Sequence, residues 1–347
     1  MMVAGEERRP TWRGRLVLGG RLALAGGLLA VVAWRLTDWP TLRAVFTGAR
    51  PGYLIGCILI YYLGVWISCV KWRLLLQAQG TISPLGPLLR WYLAGAFAGS
   101  FLPSDVGGDL GRGYLASRVI ADKAALWSSI IAERLTGLAG MALLAAVSLA
   151  FAPALLGWSP IVPLGILAVC ALVGVAVAYL LVRATAPSWT PDPLLRGLER
   201  VREVLRAYSR STGILVRCVG LSLIYHLMTV LSLSLILLAL DTRASVSAAL
   251  VAPLVGLVGL LPLSPGGLGV REGVLAALLG RAGVAGGVAL AAALTSRALL
   301  WLTALSGLPV LLAELGLLKV AAADRGPPTS APFEGSELNH DDDSATR

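Results

Sequence analysis

Apolar runs long enough to cross a bilayer follow one another along most of this chain, and that pattern leaves few architectures open. The runs Leu16 to Leu36, Gly52 to about Val70, Ala124 to about Ala152, Pro160 to Val182, Leu215 to Leu240 and Val288 to about Leu312 each come close to or exceed the roughly 20 residues a spanning α-helix needs. Only 14% of the 347 residues are charged and 57% are hydrophobic, where a soluble domain carries about 25% charge. Lipid offers no partner to a free N–H or C=O, so each segment must satisfy its own backbone. The expected fold is an all-α polytopic membrane protein.

Charge sets the topology. The net charge of +10 is not gathered into a separate basic domain, so no nucleic-acid partner is expected; the cations instead orient helices and meet anionic headgroups. Arg8, Arg9, Arg13 and Arg15 precede the first run, which reads as an uncleaved helix with residues 1–15 in the cytoplasm. Lys71, Trp72 and Arg73 read as the return to the cytoplasmic face. Residues 183–217 hold Arg183, Arg196, Arg200, Arg202, Arg206, Arg210 and Arg217, the strongest cytoplasmic signal in the chain. Leu194, Leu198, Val201, Leu205 and Tyr208 recur there at helical spacing, as in an amphipathic helix on the inner leaflet; a solvated connector is the alternative. Both termini then fall in the cytoplasm of a multi-pass plasma-membrane protein. The tail 321–347, with Asp341, Asp342 and Asp343, is too polar to order itself.

Two short stretches break the pattern in the same way. Leu-Pro-Ser-Asp-Val-Gly-Gly-Asp-Leu-Gly-Arg at 102–112 and Leu-Pro-Leu-Ser-Pro-Gly-Gly-Leu-Gly-Val-Arg at 261–271 superpose at an interval of 159 residues. That superposition matches Pro103 with Pro262, Gly107 and Gly108 with Gly266 and Gly267, and Arg112 with Arg271. Matching Gly/Pro interruptions in two halves point to a transporter's binding site. Residues 84–120 read as a hairpin that enters the membrane and turns back, and the segment from about Ser245 to Gly280 as a second one. The arms of the second hairpin approach spanning length, so full spans are an alternative there. The halves 16–152 and 160–312 then form an inverted-topology repeat, each with three spans and one re-entrant or broken hairpin.

Where the hairpins meet, the expected charge network is Asp105, Asp109, Arg118, Glu133, Arg134, Glu272 and Arg297 around Arg112 and Arg271. Each charge costs about 2.5 to 3.5 kcal/mol at a helix centre, so such groups need partners or a purpose. Helix N-termini after the glycine pairs and the forked guanidiniums of Arg112 and Arg271 suit a phosphate. Ser104, Gly107, Gly108, Ser264, Gly266, Gly267 and Gly269 complete the expected binding set. A structural salt-bridge network is the competing reading. His226 reads as a satisfied core residue, the four cysteines lack metal-ligand spacing, and no cofactor or metal is expected.

Trp72-Arg73, Leu-Pro-Ser with Gly107-Gly108 and Arg112, Glu133-Arg134, and above all Ser264-Pro265-Gly266-Gly267 with Gly269 and Arg271-Glu272 resemble the integral-membrane domain family of lysylphosphatidylglycerol synthase/flippase proteins over residues 15–315. The resemblance implies a flippase-like domain moving aminoacyl-phosphatidylglycerol or another anionic or polyprenyl-linked lipid between leaflets. No aminoacyl-transferase domain follows the last span in this sequence, so lipid aminoacylation by this chain alone is not expected, and a separate lipid-modifying enzyme is a candidate partner. Two alternatives stand beside the carrier. One is an intramembrane enzyme using Asp105 and Asp109 as acid/base groups or metal ligands. The other is a scaffold that binds an enzyme through its basic segment or acidic tail.

Overall fold

Helix accounts for nearly all of the regular structure. The computed structural model describes residues 43, 47–101, 106–159, 161, 162, 165, 199, 203, 204, 206–208, 211–240, 246–259 and 267–314. The first apolar run, most of the span 160–182, most of the basic segment, the acidic tail, and Ser104, Asp105, Ser264 and Gly266 lie outside these residues.

The elements are α1 (Pro51–Gln77), α2 (Leu85–Phe101), α3 (Val106–Ala116), α4 (Lys123–Leu156), α5 (Thr212–Ala239), a 3₁₀ turn (Val246–Val251) running into α6 (Ala252–Val258), α7 (Val270–Arg281) and α8 (Gly286–Ala304). Among the described residues, four helical stretches have the length and hydropathy to cross a membrane: Pro51–Gln77, Lys123–Phe151, Thr212–Ala239 and Gly286–Glu314. The protein is therefore a multi-span helical membrane bundle, and no strand occurs among the described residues. Local signals set the helix ends. Pro51 opens α1, where its missing N–H costs nothing. The Asp122 carboxylate accepts from the Ala125 N–H at 2.9 Å to start α4, and Gly157, at φ 61°, closes it.

The same order of elements occurs twice. A shift of 163 residues carries the start of α4, Lys123, onto the start of α8, Gly286. It also brings α1 onto α5, α2 onto the 3₁₀ turn and α6, and α3 onto α7, each start to within two residues. The motif superposition at 159 is thus displaced by four residues, about one helical turn. The displacement arises because the first glycine pair lies inside α3, which begins at Val106, whereas the second precedes α7, which begins at Val270. Arg112 and Arg271 are therefore not equivalent positions in the fold.

Packing follows the repeat. α1 against α5 forms the central contact; α4 packs on α5 as α8 packs on α1, α4 on α6 as α8 on α2, and α1 on α4 as α5 on α8. Exchanging the halves leaves this scheme unchanged. The central pair is antiparallel: the Arg50 N–H at the head of α1 donates to the Ala239 carbonyl at the foot of α5 at 2.8 Å, and Lys71 near the other end of α1 reaches Ser222. Small residues allow these helices to approach. A Cβ on Gly140 would lie 2.8 Å from Ser222 Cβ, and one on Gly108 would lie 2.7 Å from the Gly95 carbonyl oxygen. Close backbone approach of this kind is how membrane helices gain packing without a hydrophobic drive between them.

The described end of the basic segment docks on protein. Val204 and Tyr208 are buried with Leu75, Ala132 and Cys218. The Tyr208 hydroxyl donates to the Leu75 carbonyl at 2.9 Å and accepts from Gln79 Nε2 at 2.6 Å.

Candidate functional site

Among the described residues, two clusters gather charged side chains inside the bundle. The first joins α1, α3 and α4. Arg112, only 4% exposed, donates through Nε and Nη2 to Asp109 Oδ1 at 3.0 and 2.8 Å and through Nη1 to Glu133 Oε2 at 2.6 Å. Its guanidinium carbon also lies 4.7 Å from the ring centres of both Trp72 and Tyr92, within range of a cation–π interaction. Arg134 takes the second Asp109 oxygen. The Tyr92 hydroxyl donates to Glu133 Oε1 at 3.4 Å. Lys71 Nζ donates to the Glu133 carbonyl at 3.3 Å and to Ser222 Oγ at 3.0 Å, and lies 3.9 Å from Glu133 Oε1.

The second place joins α7 and α8. Glu272, buried like Arg112, accepts the Gly269 N–H at 2.6 Å on Oε2 and the Arg297 guanidinium on Oε1. This explains the Gly-Gly-x-Gly-x-x-Glu sequence in physical terms. Gly267 and Gly269 have φ of 67° and 78°, conformations that L side chains rarely adopt. A Cβ on Gly267 would fall 2.6 Å from Arg271 Cδ, and one on Gly259 would fall 3.2 Å from the same atom. Arg271 therefore runs between two bare backbones. A small cleft of about 80 Å³ opens here, lined by Val255, Arg271, Glu272, Leu275, Ala293, Ser296, Arg297 and Leu300. Among the described residues, that lining holds two arginines and one carboxylate.

The expected residues divide accordingly. Asp109, Arg112, Glu133 and Arg134 come together, as do Arg271, Glu272, Arg297, Gly267 and Gly269. Arg118 stands apart, exposed and folded over Tyr114 one turn back. Gly107 lies buried in α3, and Gly108 serves the α2–α3 crossing. His226 Nε2 lies 3.2 Å from the Gly137 carbonyl, a satisfied helix-packing position. Among the described residues no group of three His, Cys, Asp or Glu side chains could hold a metal ion.

Sequence reasoning missed Lys71, Trp72 and Tyr92. Read as markers of the return to the cytoplasmic face, Lys71 and Trp72 carry no hint of an internal role, yet α1 continues to Gln77 and both side chains are buried against protein. The available signal was the continuation of apolar residues, Leu74-Leu75-Leu76, beyond the cation. Tyr225 on α5 lies within electrostatic reach of Glu133 and Arg134 from one half and Arg271 from the other.

A helical bundle that crosses the membrane several times and keeps ion pairs and a charged cleft in its interior defines an integral membrane protein of the polytopic class. The chain belongs to the family of lysylphosphatidylglycerol synthase transmembrane regions, whose model matches residues 18–307. No curated protein matches the chain.

Proposed function

We propose that this protein moves an anionic lipid between leaflets, binding the headgroup phosphate in the cleft between α7 and α8. The observation that carries the reading is the cleft itself, whose lining among the described residues holds the two arginines Arg271 and Arg297 and one acid, Glu272, both of whose carboxylate oxygens are already bonded. Excess positive charge in a partly desolvated site favours an anion, and a guanidinium fork grips phosphate by paired hydrogen bonds. Membership of a lipid-synthase membrane family supports a lipid as the anion's carrier.

The architecture we infer is an inverted-topology repeat with a re-entrant hairpin in each half. The antiparallel pairing of the equivalent helices α1 and α5, and a packing scheme unchanged by exchanging halves, support it. So do the arms. At 1.5 Å per residue, α3 and α7 extend only about 16 and 18 Å against a hydrocarbon core of about 30 Å. Rocking of one half against the other would then open the cleft to each leaflet in turn. In this scheme both termini are cytoplasmic in the plasma membrane, and the first-half cluster holds the halves in register while the second binds.

The enzyme alternative has less support. Asp109 gives one oxygen to Arg112 and the other to Arg134, which leaves it poorly placed as an acid/base group or metal ligand. The test of the carrier reading is a leaflet-resolved assay in proteoliposomes with a labelled phosphatidylglycerol. Movement is expected with the wild type and not with Arg271→Ala; equal movement by the two would remove the proposed site.

A further inference from the structure

Tyr225 stands halfway along α5, about 20 Å from either end of the helix, on the face that meets α1. Before and after it, that face is closed. Lys71 donates to Ser222 at 3.0 Å, the Cys218 thiol lies against the Lys71 carbonyl, the Cys57 thiol donates to the Ser232 carbonyl, and Leu235 covers Gly56. Tyr225 meets α1 at Gly64, where an added Cβ would fall 3.1 Å from its ring. The phenol therefore passes a bare stretch of backbone at the middle of the central helix pair.

Its exposure does not fit that setting. Ser222 and Cys218, one and two turns earlier on the same face, are 1% and 0% exposed, but Tyr225 is 38% exposed. The open side is not the lipid side. The outward stripe of α5 runs through Val216, Gly220, Ile224, Leu227 and Leu231 at the three- and four-residue intervals of one helix face, and Tyr225 lies off it. What surrounds it is internal: Glu133 and Arg134 of α4, Arg271 of α7 and Tyr61 of α1 lie within electrostatic reach. Among the described residues its hydroxyl has no hydrogen-bond partner. Tyrosines of spanning helices collect at the interfaces, where the hydroxyl reaches water, and a bare hydroxyl in an apolar medium is costly. At mid-depth, this one needs water or a polar ligand.

We propose that Tyr225 looks into a water-filled crevice between the halves and that its hydroxyl binds the anionic headgroup there, donating to a phosphate oxygen of the lipid in passage. The inference rests on the anionic-lipid reading and adds to it a binding residue outside the cleft and outside every sequence motif. A carrier must take a polar headgroup through the apolar middle of the bilayer, and a repeat-built carrier does so where its halves meet. A phenol is a donor that can serve at that depth without a charge of its own.

Two measurements test the water and the ligand separately. A thiol placed at position 225 reacts with a charged, membrane-impermeant reagent only where water reaches it. In proteoliposomes Tyr225→Cys should be labelled above the level of the wild type, whose Cys57, Cys69 and Cys218 are buried, whereas Leu227→Cys and Leu231→Cys on the outward stripe should not. Thermal melting of the purified full chain is then followed with phosphatidylglycerol, phosphatidylcholine or inorganic phosphate added. The wild type is expected to be stabilised by phosphatidylglycerol and not by phosphatidylcholine. Tyr225→Phe keeps the ring against Gly64, so its melting midpoint without lipid should be unchanged while its apparent affinity for phosphatidylglycerol falls about tenfold. That variant also keeps the test decisive if Tyr225→Cys does not fold. A folded Tyr225→Cys that is not labelled, or equal affinity in the wild type and Tyr225→Phe, overturns the proposal and leaves the carrier reading, tested at Arg271, standing. Stabilisation of the wild type by inorganic phosphate but not by phosphatidylglycerol overturns the lipid as occupant. Binding that behaves as expected without lipid movement in proteoliposomes overturns the carrier reading alone.

Discussion

Arg297 on α8 donates to the buried carboxylate of Glu272, 25 residues earlier on α7, and the Arg134–Asp109 pair repeats both the interval and the use of Nε in the other half. The two pairs differ in exposure. The Arg297 and Glu272 side chains are 11% and 4% exposed, whereas Arg134 is 46% exposed. Removing one partner of a buried pair leaves an uncompensated charge and costs about 3–5 kcal/mol; an exposed pair is worth about 1 kcal/mol or less. Arg297→Ala should therefore lower the unfolding midpoint in detergent far more than Arg134→Ala. The double exchange Glu272→Arg with Arg297→Glu should recover part of the loss.

Arg112 and Arg271 should separate stability from transport. Arg112 is bonded to two carboxylates and faces two aromatic rings, so Arg112→Met should cost about 3–5 kcal/mol, strand Glu133 and reduce the yield of folded protein. Arg271 lines an open cleft between Gly259 and Gly267. Arg271→Met should change the melting midpoint by an amount equivalent to about 1 kcal/mol or less and abolish lipid movement. Parallel melting curves and leaflet assays read both effects from one preparation.

Much of this was legible in the sequence because it rests on composition and on helix breakers. Four of the apolar spans, and the membership of Asp109, Glu133, Arg134, Glu272 and Arg297 in internal ion pairs, follow from apolar runs and from the charges placed in them. The register between halves was not legible. The shared Leu-Pro and Gly-Gly letters align at 159 residues, but the glycine pair does different work in each half: Gly108 admits the backbone of Gly95, while Gly267 takes a positive φ beside Arg271. Nor was the role of Lys71, since a cation near the end of an apolar run reads as a membrane boundary unless the helix is known to continue.

The glycines make their own prediction. Gly108→Ala would set a methyl 2.7 Å from the Gly95 carbonyl oxygen, where the contact is backbone on both sides and cannot swing away. Overpacking of this kind costs about 1–3 kcal/mol, and the loss should appear as a lowered melting midpoint. In Gly267→Ala the new methyl meets Arg271 Cδ at 2.6 Å on a backbone already at positive φ. There the flexible arginine yields, so lipid movement should fall by a larger factor than in Gly108→Ala at comparable stability. A reversed order would mean that Arg271 is not the group the glycine serves.

Tyr208 gives a pH-dependent readout of how the basic segment is tied down. Burial holds its hydroxyl in the neutral form and pushes its pKa up from 10 to about 12, despite the hydrogen bond from Gln79 that works the other way. The folded value is thus above the unfolded one. Its contribution to docking is fully present below pH 10 and is lost as the pH rises through about 12. Tyr208→Phe removes both the ionisation and the hydrogen bond to the Leu75 carbonyl, at a cost of about 1–3 kcal/mol if that acceptor is left unsatisfied. Limited proteolysis within residues 183–210 should therefore be faster in Tyr208→Phe than in the wild type at neutral pH. The difference should narrow as the pH passes 10, because only the wild type still has a phenol to ionise. A constant ratio of cleavage rates across that range would show that Tyr208 does not anchor the segment.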